Sequence, residues 1–340
     1  MKLAVFADGT WNKIRENGRD TNVAKLFKAT IHDGTTQKTA YEPGVGVNPW
    51  EKLRGGLFGM GIDENIKKCY RFLVREWHGD PSPTKHDVYL FGFSRGAYTV
   101  RSLGGLLGRL GLVRDERDVD QAYEYYRVSK EDYEKKKAEI EKFQAAKVAN
   151  KPQIRMIGVW DTVGALGIPL NALNKRFNPF PHEFHDTSLG PRVEAAYHAV
   201  AVDERRVAYE PTLWTLKPGS TQTLEQVFFP GAHSDVGGGY DDDWKLADIT
   251  LEWMARRARA RGLALNGTIP ECKVDHAYGR IHEPMKYIPI RRAPRKVESR
   301  AAVCKAVHHR WNAKECIPFP YLAANLDRKG AYAWVDWPEK

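Results

Sequence analysis

Three residues of the kinds that cooperate in nucleophilic catalysis occur in the order Ser94, Asp161, His233. A serine hydroxyl is a weak nucleophile until a base takes its proton. Histidine can take it near neutral pH, and a carboxylate can fix the imidazole tautomer and stabilise the imidazolium. Ser94 lies in Gly92-Phe93-Ser94-Arg95-Gly96, a G-x-S-x-G pentapeptide. Val88 to Phe91 ahead of it are apolar and β-prone, and Ala97 to Leu112 behind it are rich in helix formers. That pattern reads as strand, tight turn and helix, the setting that holds a nucleophile out on a strained backbone. The flanking glycines fit, because a Cβ two residues either side would meet neighbouring backbone. The backbone N–H of Arg95 would then face a developing oxyanion, with the positive end of a helix beneath Ser94. The competing reading is a Gly-rich turn that packs or binds phosphate.

Asp161 follows the apolar run Ile154 to Trp160, and His233 follows a strand over Gln226 to Phe229. Parallel strands bring such loops to one edge of a sheet. The order Ser, Asp, His is that of the α/β hydrolases. Another turn, Asp8-Gly9-Thr10-Trp11-Asn12, follows the short strand Lys2 to Ala7. The N–H groups of Gly9 and Thr10 are candidates for a second oxyanion donor, while Asp8 reads either as support or as the cap of its own turn. His198 is the nearest rival base, but it falls in an apolar stretch, Pro191 to Val202, that reads as a helix with a packed histidine. His182, His185 and His276 have no strand before them. Asp235 is a rival acid, awkwardly close to His233, and reads otherwise as a bond to loop backbone or a cation ligand. Asp8, Asp161 and Asp235 together could hold a divalent ion. Their spacing matches no recognised metal pattern, so no cofactor is expected.

The elements that must position these residues alternate. A helix over Val23 to His32 follows the cap Asp20-Thr21-Asn22, and a strand spans Lys38 to Tyr41. Residues 53–61 are Gly-rich and read as a mobile loop over a site or a close-packing connector. Asp63 to His78 forms a helix with Ile66, Tyr70, Leu73 and Trp77 on one face. Ala247 to Arg261 forms an amphipathic helix with a basic outer face. The expected fold is α/β, a doubly wound and mostly parallel sheet. Residues 114–150 are charged and helical and read as an inserted hairpin: a cap, a partner surface or a solvated excursion. The expected division is a catalytic domain over 1–270 and a basic extension over 271–340 packed on it.

Composition bounds the rest. The chain has 340 residues, with 42% hydrophobic and 28% charged, which suits a globular protein large enough for a sizeable core. No apolar run is long enough to span a bilayer. Lys2 is followed by only five apolar residues before Asp8, unlike a signal peptide. Synthesis in the cytoplasm is expected, with any export by a signal-independent route. Cys69, Cys272, Cys304 and Cys316 show neither zinc spacing nor a disulfide framework, and one bridge near the C-terminus stays open. The formal charge of +10 is uneven, for residues 271–340 hold 14 Lys and Arg against 8 Asp and Glu. Lys286, Arg291, Arg292, Arg295, Lys296, Arg300, Lys305 and Arg310 supply most of it. Such a surface attracts anionic lipid, nucleic acid or an acidic partner, or is simply solvated.

Five stretches, taken together, resemble one family. They are Asp8 to Asn12, Tyr41 to Gly46, Gly92 to Tyr98, Gly158 to Gly164 and Gly231 to Tyr240. The family is that of the α/β hydrolases whose best understood members are phospholipase effectors of bacterial type VI secretion, and the likeness runs over about residues 1 to 265. It implies an α/β-hydrolase fold, a triad on Ser94, Asp161 and His233, and hydrolysis of phospholipid acyl esters. It also implies a phospholipid substrate and a secretion or immunity protein as partner; peripheral membrane contact would run through the basic C-terminal region, and no nucleic acid is expected. Known effectors often carry extra membrane-binding modules. Here only the charged hairpin and the basic region after residue 270 could play that part. The alternatives that remain are a soluble esterase and a non-catalytic module that binds an acidic partner or nucleic acid.

Overall fold

A computed structural model describes residues 1–10, 12–14, 20–44, 57–77, 86–163, 187–267, 269–283, 291–313, 326 and 330–337. The strands are β1 (Lys2–Ala7), β2 (Gln37–Glu42), β3 (Asp87–Phe93), β4 (Leu112–Val113), β5 (Val148–Asn150), β6 (Ile154–Trp160), β7 (Ala195–Ala201), β8 (Thr223–Phe229), β9 (Ala302–Cys304) and β10 (Ala333–Val335). The helices are α1 (Asn22–Ala29), α2 (Leu57–Trp77), α3 (Arg95–Arg109), α4 (Val119–Arg127), α5 (Lys130–Lys147), α6 (His233–Gly237), α7 (Lys245–Ala260) and α8 (Lys305–Asn312).

Eight strands form one sheet in the order β10-β9-β8-β7-β6-β3-β1-β2, and every pairing between neighbours is parallel. The central strands β1, β3, β6 and β7 are almost wholly buried because helices cover both faces of the sheet. Leu3 and Val5 of β1 join a core with α2 and α3, while Ala4 and Phe6 turn to the opposite core with α1 and α7. Phe6 stacks on Phe91 of β3 at 5.0 Å within that second core. The chain runs from β1 outward to β2, then returns to β3 on the other side of β1. Strand order therefore reverses between β1 and β3, where the loops after them part and leave a crevice. The α/β, doubly wound, mostly parallel architecture expected from the sequence is the one observed.

Some elements differ from expectation. The stretch read as a helix around His198 is β7, a strand buried along its whole length. Alanine favours helices in isolation, but here small side chains let both helical layers close on a central strand, and that packing overrides propensity. The Gly-rich stretch is helical from Leu57 onward, and its first residues lie outside the described ones. The hairpin over 114–150 is closed at its base by antiparallel β4 and β5. It is not wholly outside the fold, since Tyr123, Tyr125, Ile140 and Phe143 are buried in the core with α2 and α3.

The basic C-terminal region supplies β9 and β10 to the main sheet, so it forms part of the sheet itself. Two of its cations are not on the surface, because Arg295 and Arg310 are buried. Arg310 donates to the carbonyls of Ala277 and Gly279, which explains its inward turn. Cys69, Cys272 and Cys304 are buried; Cys316 and Lys286 lie outside the described residues. Among the described residues no helix is long and apolar enough to cross a membrane.

Candidate active site

Ser94 occupies the turn between β3 and α3 with φ 56° and ψ −119°, a conformation that costs an L-residue energy. The tight turn needs its glycines. A Cβ on Gly92 would lie 2.4 Å from Gly96 O, and one on Gly96 would lie 2.1 Å from Ala7 O. The Ser94 N–H donates to Trp160 O at 3.1 Å, which ties the turn to the end of β6. The Arg95 N–H opens α3, in the first turn, where N–H groups have no partner within the helix.

Asp161 follows β6, also on a strained backbone, with φ 39°. Its N–H donates to Ala199 O at 2.8 Å, and its Oδ1 accepts from the Ala201 N–H at 3.0 Å, so β7 fixes it twice. His233 opens α6 after β8. Its Nδ1 lies 2.6 Å from Asp161 Oδ2, both side chains being buried. A carboxylate can only accept there, so Nδ1 carries the hydrogen and Nε2 is left to take a proton. The imidazole packs against Phe93 at 4.6 Å and meets Tyr209 edge-on at 4.9 Å. Glu204, itself paired with Arg206, accepts from the His233 N–H at 3.2 Å. Asp161 and His233 are thus joined directly. Ser94 is held at the same corner through Trp160 and through its neighbour Phe93.

Arg295, a cation expected on the basic surface, instead meets Asp161 with its guanidinium. Nη1 donates to Oδ1 at 2.6 Å and Nη2 to Oδ2 at 3.0 Å. Burial opposes charge on Asp161, but Arg295 and then His233 outweigh it and hold the carboxyl below the usual carboxylate range.

The Asp8 turn lies against Ser94, since a Cβ on Gly9 would come within 3.2 Å of Ser94 Cβ. Asp8 accepts from the Gly9 N–H at 2.7 Å, Thr21 Oγ1 at 2.7 Å and Tyr41 Oη at 2.6 Å. Gly9 N–H is therefore engaged within its own turn, which removes it as a spare donor. Thr10 Oγ1 is buried and makes no hydrogen bond among the described residues. Burial pushes the Asp8 carboxyl up to about 6 against those three hydrogen bonds.

The Asp235 carboxylate is bonded elsewhere than to the His233 ring, which pairs with Asp161. Its Oδ2 accepts from the Ala232 and His282 N–H groups at 2.8 and 3.0 Å, and its Oδ1 lies 2.5 Å from His282 Nδ1. His198 accepts from the Thr162 N–H at 3.1 Å, and burial, with Arg101 beside it, lowers its pKa to about 3. It is a neutral packed histidine, as expected, though on a strand. His276 sits beside Asp275 on a short turn, and His182 and His185 lie outside the described residues. Asp8, Asp161 and Asp235 each have separate partners, and among the described residues no three His, Cys, Asp or Glu side chains group as metal ligands.

Glu204, Tyr209, His282 and Arg295 also belong to this corner, and no motif in the sequence marks them for it. Glu204 follows a strand, a usable signal once β7 is recognised. Arg295 and His282 carry no signal, because both reach the site from a region without regular elements.

Residues 1–257 match the family model described as T6SS, phospholipase effector Tle1-like, catalytic domain. The uncharacterized protein YEL023C of Saccharomyces cerevisiae is 27% identical over 225 residues, covering 58% of this chain and 30% of that protein. The chain thus spans under a third of that relative. Among solved structures, an uncharacterized protein from Pseudomonas aeruginosa gives a TM-score of 0.44 at 21% identity, over 78% of this chain and 46% of that one. The Tle1 effector bound to the VgrG spike from the type 6 secretion system gives a TM-score of 0.37 at 18% identity, over 71% and 51%.

Proposed function

The chain belongs to the T6SS phospholipase effector Tle1-like family, catalytic domain, and from that premise we propose that it is a serine carboxylester hydrolase acting on phospholipid acyl esters. The observation that carries the reading is the buried Asp161–His233 pair, 2.6 Å apart, beside a serine on a strained strand-to-helix turn.

In this reading Ser94 Oγ attacks the acyl carbonyl while His233 Nε2 takes its proton. The Arg95 N–H, with Thr10 beside it, stabilises the oxyanion. Collapse of the tetrahedral species breaks the ester bond, and the imidazolium returns its proton to the departing alcohol. Water, deprotonated by His233, then attacks the acyl-enzyme and releases the fatty acid. Asp161 holds the imidazole tautomer throughout. The exposed cations Arg291, Lys296 and Arg300 favour an anionic membrane surface, an attraction that salt screens.

Fluorophosphonate labelling of the whole protein, beside Ser94→Ala and His233→Ala, tests the serine. Labelling lost in both variants supports it, and labelling that survives Ser94→Ala ends it. Hydrolysis of phosphatidylglycerol vesicles against a dispersed short-chain ester tests the substrate. Equal rates on both, unaffected by salt, would favour a soluble esterase instead.

A further inference from the structure

Arg295 lies beyond residues 1–257, the span that matches the family model, yet it reaches the carboxylate that pairs with His233. We propose that Arg295 is a positioning residue for acyl transfer: it clamps both oxygens of Asp161, sets the plane of that carboxylate against His233 Nδ1, and offsets its charge. The proposal rests on the reading of Ser94, Asp161 and His233 as a triad.

The geometry is bidentate. Two parallel N–H···O bonds fix rotation of the carboxylate about its last bond, which one contact leaves free. The guanidinium is held in turn, since Nη1 also donates to Ala201 O at 2.6 Å and Nη2 to Tyr209 O. Tyr209 meets the His233 ring at 4.9 Å, so one residue braces the arginine with its carbonyl and the imidazole with its side chain. The charged groups are 2% and 0% exposed, for Arg295 and Asp161 respectively, so water screens neither. A buried ion pair adds little net stability over well-packed apolar residues, so stability alone is a weak reason to place it there.

The charge matters for chemistry as well as position. When Ser94 gives up its proton, the imidazolium forms beside a carboxylate whose charge Arg295 has already offset. It therefore passes the proton on to the departing alcohol more readily than beside an isolated carboxylate. The other charged or titratable groups around the pair are Glu204 with Arg206, Tyr209, and, behind Asp161, His198 with Arg101.

The test measures kcat and KM for p-nitrophenyl butyrate across pH with the whole protein, Arg295→Gln and Arg295→Lys. In Arg295→Gln, kcat should fall about 100-fold or more with little change in KM. The acid limb of the profile should move up by about one pH unit, because the Asp161–His233 pair takes up a proton more easily once the guanidinium is gone. Added guanidinium chloride should restore about tenfold of the lost kcat. Arg295→Lys keeps the charge without the fork, so its acid limb should stay put while kcat falls about tenfold. If Arg295→Gln does not fold, the lysine variant decides alone, by a fall in kcat at unchanged KM and melting temperature. The proposal is overturned if kcat stays within about threefold in the folded variants. It is also overturned if losses track melting temperature with the acid limb fixed and no rescue. Failure of the triad looks different, for then the unaltered protein itself takes no fluorophosphonate, or Ser94→Ala still does.

Discussion

His282 Nδ1 lies 2.5 Å from Asp235 Oδ1, so a residue of the C-terminal region grips the short helix α6 that begins with His233. The other ring nitrogen lies 3.0 Å from Asp242 Oδ1, and the ring stacks on Tyr240 at 3.7 Å. The His233 loop is therefore held from outside as well as from the sheet.

Replacing His282 by asparagine should loosen that grip by about 1.5–3 kcal/mol, the range for hydrogen bonds to charged groups. Burial opposes charge on the ring, but Asp235 and Asp242 outweigh it and raise the His282 pKa above 6.5. Its contribution is therefore complete below that unfolded value and fades as pH rises through the raised folded one. Thermal melts should show a wide gap between the two proteins at about pH 6 and a narrower one at about pH 9. A gap of constant width would refute the charged pairing.

Asp161→Asn should lower kcat by about four orders of magnitude, since an amide can stabilise the wrong imidazole tautomer. It should also cost about 3–5 kcal/mol, because it strands the buried Arg295 charge. Adding Arg295→Met should return stability without returning activity. Calorimetry beside an ester assay reads both, and a double variant less stable than Asp161→Asn would show the pair is not coupled.

Ser94 is a non-glycine residue at φ 56°, so this turn carries backbone strain. Ser94→Gly and Ser94→Ala should both be inactive, yet the glycine variant should be the more stable by about 1 kcal/mol. Equal stability in denaturant titrations would mean the turn is relaxed.

Asp8 is a buried carboxyl whose pKa burial raises from 3.8 to about 6. Its neutral form suits the fold better, so its contribution is complete below about pH 4 and lost as pH rises through about 6. Across that window the unaltered protein should lose up to about 3 kcal/mol relative to Asp8→Asn. Parallel pH-stability curves for the two would contradict the assignment.

Local pattern made much of the site legible. The pentapeptide around Ser94 sits on a strand-to-helix turn, and Asp161 and His233 both follow parallel strands, as the apolar runs before them implied. Pattern failed at β7, where alanines that favour helix in isolation fill a doubly covered strand. It failed again at Arg295, because a charge in a basic stretch reads as solvated unless the buried carboxylate it meets is known. Gly9 shows the limit of motif reasoning: the residue lies beside Ser94 but its N–H is taken by Asp8, a competition that spacing does not reveal.

The pairing of β9 with β8 joins Val227 to Ala302 and Phe228 to Val303. A ribosome delivers these partners in order, so β8 waits with an open edge until the later strand emerges. Unpaired edges recruit other chains. Nascent protein is thus most prone to aggregate over the interval between Phe229 and Ala302, and expression yield should respond to chaperones that act late in synthesis.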